Sequence, residues 1–213
     1  MKKLVIVGSG GLAREVEWLV ERINAVEPEW NFLGFIDHNT DAEHVIGDDS
    51  YVFNCSEELY VSIAIGSPEI RKRIFETYKA NPNIHYANLI DPSVLLSRRV
   101  QLGEGNIICA GTVLTVDITI GSHNLINWDC TIGHDAVIGS FVTLNPSVNV
   151  SGNVRLSDGV NVGTGTQIIQ GHSIGRNTVV GAGAVVNCDL PDNCTAVGTP
   201  AKVIKRRGGA ENG

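Results

Sequence analysis

Aromatic residues, paired cysteines and long apolar runs are all scarce in this chain of 213 residues. Aromatics make up only 6% of a composition that is 43% hydrophobic, which favours a core of stacked aliphatic side chains. The net charge of −7 argues against nucleic acid as a partner. No run approaches the roughly twenty apolar residues of a membrane span. The apolar stretch Leu4–Val7 is too short for a signal peptide, so we expect a cytoplasmic protein.

Metal-binding and nucleophile motifs are also missing. The five cysteines show no Cys-x-x-Cys spacing and are expected to be free thiols in a reducing cytosol. No two histidines have close metal-ligand spacing, so no metal is predicted. No Gly-x-Ser-x-Gly elbow occurs, and Cys130 is predicted to lie in the core.

A strict six-residue repeat dominates the last two thirds of the chain. From Leu96 to Val186 every sixth residue is aliphatic, sixteen times in succession. A period of six fits neither a helix nor an ordinary hairpin sheet and predicts a parallel β-helix of hexapeptides. Three hexapeptides make one triangular coil, so residues eighteen apart stack, and sixteen repeats make a prism roughly 25 Å tall. We expect the non-repeating segment Asp189–Lys205 to cap its upper end.

Two residue positions flank each inward aliphatic residue. The residue two places earlier is usually small or β-branched and is expected to point inward. The residue directly after is often Gly, as at Gly121 and Gly133, which predicts a positive φ at the corner of the coil.

Residues 1–90 lack the repeat and predict a small parallel α/β domain. Strands are expected at Lys3–Val7, Asn31–Ile36, Val61–Ile65 and Ile84–Leu89, with helices after the first and third. This Rossmann-like domain is followed by a left-handed β-helix over residues 91–205 and a flexible tail over residues 206–213.

A glycine-rich loop joins the first strand to the first helix. Gly8, Gly10 and Ala13 have the spacing of a dinucleotide fingerprint, in which a phosphate approaches the backbone at a helix N-terminus. Asp37 ends the second strand, where an acid often meets a ribose or a base. The alternatives are a tight turn without ligand and an ordinary turn Asp. A domain of about ninety residues favours a mononucleotide or a nucleotide sugar over NAD.

His134 is the main candidate for chemistry in the prism. It lies two residues after an inward aliphatic residue, at a corner that faces outward, and Asp135 follows it while Asp129 is near in sequence. A carboxylate on one ring nitrogen makes the other a better base. The alternative is a surface His. His172 falls in a small inward position and His123 has no adjacent acid, so both are weaker candidates.

Five segments together resemble the bacterial hexapeptide-repeat sugar acetyltransferases, which include nucleotide-amino-sugar N-acetyltransferases of bacillosamine-type pathways and sialic acid O-acetyltransferases. They are Val5–Val16, Gly34–Asp37, Ala64–Gly66 with Ile70–Arg71, Gly133–Gly139 and Val197–Lys202.

The resemblance implies a homotrimer with acetyl-CoA between adjacent prisms and a nucleotide sugar on the front domain. It implies that His134 is the general base, that Asp135 orients it, and that Gly152 lies beside the acetyl group, where its N–H is the candidate donor to the developing oxyanion. It assigns residues to CoA and to the nucleotide sugar. The CoA contacts are Thr164, Ala182, Gly183, Pro200 and Lys202. The nucleotide-sugar contacts are Gly8, Ser9, Gly10, Gly11, Asp37 and Gly66.

Several residues depart from the family pattern. Thr143 stands where many members have a second His, and is expected to donate a hydrogen bond to the acetyl carbonyl or the sugar. Leu12 replaces a His of the glycine-rich loop, and Trp128 replaces a smaller residue. Three functions stay open: N-acetylation of a nucleotide-linked 4-amino-4,6-dideoxy sugar for surface glycans, O-acetylation of sialic acid or a capsule sugar, and a non-catalytic nucleotide-binding trimer scaffold.

Overall fold

The computed structural model describes residues 1–207, which form a small α/β domain followed by a β-helix. The elements of the first domain are β1 (Lys2–Val7), α1 (Gly11–Val26), β2 (Trp30–Ile36), β3 (Val45–Gly47), α2 (Asp49–Phe53), β4 (Leu59–Ile63), α3 (Pro68–Tyr78) and β5 (Ile84–Tyr86). The strands form a parallel sheet in the order β3-β2-β1-β4-β5. This order confirms the Rossmann-like prediction and adds β3 and α2, which were not predicted.

The helices form where the sequence indicates. In α1, Val16, Leu19 and Val20 are buried while the charged residues lie on the other faces, so burial of the apolar face stabilises the helix. Helix α3 begins with Pro68 after Ser67, whose hydroxyl accepts a hydrogen bond from the Ile70 N–H at 3.4 Å.

The prism consists of two-residue strands on three faces. Face 1 holds β6 (Leu89–Ile90), β9 (Ile107–Ile108), β12 (Leu125–Ile126), β15 (Thr143–Leu144), β18 (Asn161–Val162) and β21 (Val179–Val180), extended by β23 (Cys194–Val197) and β24 (Lys202–Arg206). Face 2 holds β7 (Leu95–Leu96), β10 (Val113–Leu114), β13 (Thr131–Ile132), β16 (Asn149–Val150), β19 (Gln167–Ile168) and β22 (Val185–Val186). Face 3 holds β8 (Gln101–Leu102), β11 (Thr119–Ile120), β14 (Val137–Ile138), β17 (Arg155–Leu156) and β20 (Ser173–Ile174).

Strand pairing confirms the eighteen-residue stacking, with Leu114 opposite Ile132 and Ile132 opposite Val150. The stack begins one hexapeptide earlier than predicted, because Ile90 already pairs with Ile108. The predicted fourth strand of the front sheet therefore ends at Tyr86, and Leu89–Ile90 belongs to the prism.

The reason given for the recurrent glycines was wrong. The positive φ falls three residues after most of the aliphatic residues, as at Asp135 with φ of 61°, and not at Gly121 or Gly133. A Cβ built on Gly133 would lie 2.6 Å from the backbone nitrogen of Gly152 in the next coil. Glycine is needed there because adjacent coils approach closely, not because the chain turns left-handed.

The inward position two before each aliphatic residue holds mostly small or β-branched residues, but Asn106 and Asn124 also occupy it. Both side chains are buried and satisfied: the carboxamide oxygen of Asn106 accepts from the Asn124 N–H at 3.0 Å, and that of Asn124 accepts from the Val142 N–H at 2.6 Å. This ladder ties successive coils together.

The front domain packs on the lower part of face 1. Leu89, Ile107 and Leu125 point outward from that face and join the hydrophobic core of the front domain, each contributing about 1.5–3 kcal/mol by burial. At the base of the prism the Arg22 side chain of α1 makes two hydrogen bonds to the buried Asp91 carboxylate, at 2.5 and 3.0 Å. The two domains are therefore joined by both apolar and ionic contacts.

The upper end is closed by the predicted non-repeating segment. Strands β23 and β24 form an antiparallel hairpin that continues face 1. Arg206, expected to open the flexible tail, instead ends β24. The remainder of that predicted tail, residues 208–213, lies outside the described residues.

Candidate active site

His134 stands on the corner between β13 and β14, where face 2 meets face 3. Its side chain is 53% exposed, and its Nδ1 lies 2.7 Å from the Asp135 Oδ2. Because a carboxylate accepts hydrogen bonds, the proton belongs on Nδ1 and the lone pair on Nε2 is free. Within residues 1–207 the Nε2 has no hydrogen-bond partner, so the ring is arranged as a base that faces solvent.

Asp135 adopts the left-handed conformation that the corner requires. Asp129, Asn153 and Asn177 have the same conformation at equivalent positions, and Asp and Asn tolerate it better than most residues. The corner geometry alone thus accounts for an Asp at 135. The short contact with the His134 ring distinguishes this Asp from those at the other corners.

Gly152 lies one coil above His134. A Cβ built on it would be 2.5 Å from the His134 Nε2, so any side chain at 152 would collide with the ring. Its carbonyl oxygen accepts from the Gly171 N–H at 3.1 Å, whereas its own N–H has no acceptor within residues 1–207. A backbone N–H without an acceptor is the kind of donor that stabilises a developing oxyanion.

The residues assigned to CoA follow a different corner, where face 1 meets face 2. Thr164 and Ala182 are one coil apart and exposed, and the Gly183 N–H donates to the Thr164 carbonyl at 2.8 Å. Pro200 and Lys202 are exposed above them, at the hairpin. The structure therefore groups these five residues along one edge of the prism.

The glycine-rich loop opens at the carboxyl edge of the front sheet. Gly8 has φ of 103°, and Gly10 is the N-cap residue of α1, which therefore has no side-chain cap. The space that a Cβ would enter at Gly10, Gly11 and Gly66 is empty. Uncapped N–H groups beside open space suit an anionic phosphate.

Asp37 is brought to this loop by β2. Its carboxylate accepts from the Ser9 hydroxyl at 2.8 Å and from the Asn39 N–H at 3.1 Å. Burial alone would raise the pKa of Asp37, but the hydrogen bonds from Asn39 and Ser9 outweigh it and hold the pKa below its ordinary value. Ser9 and Asp37 are thus brought together as a charged, ordered part of the loop.

The base and the nucleotide loop lie on different sides of one chain. The front domain covers face 1, and the His134 corner is the edge of the triangular prism opposite that face. The edge with Thr164 is a third location. A single chain therefore carries the three sets of predicted residues but does not bring them into one cleft.

Thr143 does not have the expected environment. Its hydroxyl donates to the Gly66 carbonyl at 2.9 Å and accepts from the Arg71 guanidinium at 3.0 Å, and it is buried between the domains. Its single proton is already used, so this geometry does not support donation to an acetyl carbonyl. Arg71 was noted only as part of a motif, and nothing local in the sequence indicates its burial.

The remaining prism histidines are not exposed bases. His123 is buried and stacks on Phe141, with 5.1 Å between the ring centroids, and burial together with the Arg71 charge lowers the pKa of His123 to about 4. His172 is half-buried, with Nδ1 3.2 Å from Asp189 Oδ1. Cys130 is buried as predicted, which raises the pKa of its thiol to about 11.

Comparison with known proteins identifies the family. Residues 3–78 match the family described as the PglD N-terminal domain. PerB from Caulobacter crescentus, solved with CoA and GDP-perosamine, is 30% identical with a TM-score of 0.86 over 96% of this chain and 98% of that chain. The chain belongs to the hexapeptide-repeat nucleotide-amino-sugar N-acetyltransferases.

Two further structures of such acetyltransferases agree with this assignment. A variant of perosamine N-acetyltransferase from Caulobacter crescentus, with asparagine in place of a histidine, is 28% identical with a TM-score of 0.85 over 96% of this chain and 98% of that one. The acetyltransferase domain of PglB from Neisseria gonorrhoeae, solved with acetyl coenzyme A, is 29% identical with a TM-score of 0.85 over 95% and 99%. No curated protein sequence matches this acetyltransferase.

Residues 1–207 lack two kinds of feature. No helix among them is long and apolar enough to cross a membrane. No group of three or more His, Cys, Asp or Glu side chains in that part of the chain could hold a metal ion.

Proposed function

We propose that this acetyltransferase transfers the acetyl group of acetyl-CoA to the amine of a nucleotide-linked 4-amino-4,6-dideoxy sugar used for surface glycans. The observation that carries the proposal is the His134–Asp135 pair with its free Nε2, which lies against Gly152 of the next coil. The likeness to structures that hold GDP-perosamine and acetyl coenzyme A supports this donor and this class of acceptor.

Catalysis proceeds in a ternary complex. The sugar amine attacks the thioester carbonyl while His134 Nε2 takes the proton that the amine loses. Asp135 stabilises the resulting imidazolium, and the Gly152 N–H donates to the oxyanion. When the C–S bond breaks, the imidazolium returns its proton to the CoA sulfur. The base contributes roughly 10²–10⁴-fold and positioning supplies the remainder.

We further propose that the active unit is a homotrimer with acetyl-CoA held between adjacent prisms. The support is the separation described above, in which the His134 edge and the Thr164 edge are different corners of one prism. In a trimer, the His134 edge of one subunit meets the Thr164 edge and the nucleotide loop of its neighbour. We place the reaction in the cytoplasm, because all five cysteines are free.

The site residues divide between the two substrates in this proposal. The nucleotide diphosphate binds at Gly8–Gly11 and Gly66, and Asp37 with Ser9 meets the nucleoside. The pantetheine arm follows Thr164, Ala182 and Gly183, and Lys202 with Pro200 meets the CoA phosphates.

The test is thiol release from acetyl-CoA with UDP-, dTDP- and GDP-linked 4-amino sugars and with free and CMP-linked sialic acid. Turnover on an amino sugar that falls at least about 10²-fold in His134→Ala supports the proposal. His172→Ala is the matched control, because His172 is also hydrogen-bonded to an Asp, and it should keep wild-type turnover. Turnover on sialic acid alone would replace N- with O-acetylation, and equal rates in wild type and His134→Ala would remove His134 from the mechanism.

A further inference from the structure

The Arg71 guanidinium is a buried charge between the two domains. The residue is 1% exposed, and its five hydrogen bonds all go to carbonyl or hydroxyl oxygens, none of them on a carboxylate. Burying a cation without a counter-ion is costly, so the chain keeps this arginine at the expense of stability.

The hydrogen bonds of Arg71 divide between the domains. Nη1 donates to the carbonyls of Ile65 at 2.6 Å and of Gly66 at 3.4 Å, in the front domain. Nε and Nη2 donate to the prism, where the acceptors are the His123 carbonyl at 2.8 Å, the Val142 carbonyl at 3.0 Å and the Thr143 hydroxyl at 3.0 Å. A planar fork with five donors can hold both sets at once, whereas a lysine cannot.

The front-domain acceptors of Arg71 lie beside the glycine-rich loop. A Cβ built on Gly8 would be 3.2 Å from the Ala64 carbonyl oxygen and 3.0 Å from the Ile65 Cδ1. The Ala64 N–H donates to the Val7 carbonyl at 3.0 Å, which joins the ends of β1 and β4. Any shift of Ile65 and Gly66 would therefore also move the loop.

We propose that Arg71 is a positioning residue that fixes the carboxyl edge of the front sheet against the prism and so holds the nucleotide-binding loop in its binding geometry. This inference rests on the proposed function, because it assumes that the loop takes a nucleoside diphosphate. Thr143 completes the contact, since its hydroxyl bonds both Arg71 and the Gly66 carbonyl. Thr143, which was expected to face the acetyl group, instead helps to position the loop that binds the acceptor substrate.

Stability alone cannot test this role. Replacing Arg71 by an apolar side chain removes an uncompensated buried charge but also leaves its buried oxygen acceptors without a donor, so the two effects on the unfolding free energy oppose each other. The readout must therefore be ligand affinity, measured separately for the two substrates. A purely structural arginine would alter both affinities or neither.

The experiment is calorimetric titration of the full-length protein with UDP, GDP, dTDP and CoA. Arg71→Met should lose at least about tenfold in affinity for the nucleotide that wild type prefers, with CoA affinity kept within about twofold. Arg71→Lys retains the charge without the fork and should recover only part of this loss. Thr143→Val removes one hydroxyl with little change of shape. It should lose less nucleotide affinity than Arg71→Met, again with little change in CoA affinity.

Arg22→Gln is the matched control, because it breaks the other interdomain arginine contact at the far end of α1. It should lower stability and leave both affinities unchanged. Equal nucleotide affinity in wild type and the Arg71 variants, or equal loss for nucleotide and CoA, would overturn the role of Arg71. A wild-type protein that binds nucleotide without acetylating any amino sugar would overturn only the proposed function, and one that binds no nucleotide would overturn both.

Discussion

Gly152 is in such close contact with the His134 imidazole that a single added methyl group would lie 2.5 Å from Nε2. The stacking of coils eighteen residues apart brings this glycine beside the basic nitrogen. The repeat that builds the prism therefore also determines which residue lies next to the proposed base.

Gly152→Ala should lower kcat by about 10²-fold, because the methyl group must displace the ring and a shift near 1 Å can cost that much. Gly152 does not have a positive φ, so alanine causes no backbone strain there. Steady-state kinetics and a thermal melt measure the effect. Gln170→Ala, one coil further up the same corner, is the control and should retain its activity; normal kcat in Gly152→Ala would show that Nε2 is not the reacting atom.

Asp135→Asn should reduce kcat by about 10²-fold while acetyl-CoA binding is kept, because an amide does not stabilise the imidazolium as a carboxylate does. Asp189→Asn is the comparison, since Asp189 contacts His172 in the same way. Single-turnover rates would distinguish the two variants. Similar rates in both variants would mean that Asp135 is needed only for the left-handed backbone conformation at the corner.

His123 makes the protein sensitive to mild acid. Burial and the Arg71 charge lower the pKa of His123 to about 4, below the roughly 6.5 of an unfolded chain. Between pH 6.5 and 4 the unfolded state binds a proton that the folded state does not. The unfolding free energy therefore decreases as the pH is lowered, by up to about 3 kcal/mol. Urea unfolding at pH 7 and pH 4.5 should show a smaller drop for His123→Phe than for wild type or for His85→Gln, an exposed control.

The Arg22–Asp91 contact also loses stability as the pH falls, but over a lower pH range than His123. Burial alone would raise the pKa of Asp91, but hydrogen bonds from Arg22 and Ser93 lower it to about 2. The contribution to stability is therefore complete above the unfolded pKa near 3.9 and is lost as the pH falls through about 2.

Asp91→Asn should cost about 2 kcal/mol of unfolding free energy at pH 7, and the difference from wild type should shrink below pH 4. Asp117→Asn, which removes an exposed pair with Arg99, should cost less than about 1 kcal/mol. Urea unfolding across this pH range measures both. A difference that persists at pH 2 would contradict the assigned pKa.

Much of the fold was predictable because its signals are local or periodic. The six-residue repeat specifies inward and outward residues without any knowledge of distant contacts, and the loop from Gly8 to Gly11 lies between a strand and a helix that are each evident. The three-residue strand β3 and the five-residue helix α2 were missed because such short elements form through packing on the sheet, not through their own pattern.

The site was predictable only where a contact is formed by residues that are adjacent in the sequence. The His134–Asp135 contact joins adjacent residues, whereas the burial of Arg71 depends on carbonyls that are far apart in sequence. One further signal of the interdomain contact is present in the sequence. Leu89, Ile107 and Leu125 are apolar at outward positions spaced by eighteen, which indicates that something covers face 1.

The position of His134 on the edge opposite face 1 has a genetic consequence in the proposed trimer. A subunit without its histidine still presents an intact nucleotide loop to a neighbour, and a subunit with a damaged loop still presents its histidine. Two alleles that are each inactive alone would therefore complement one another when expressed together, since mixed trimers would contain some restored sites.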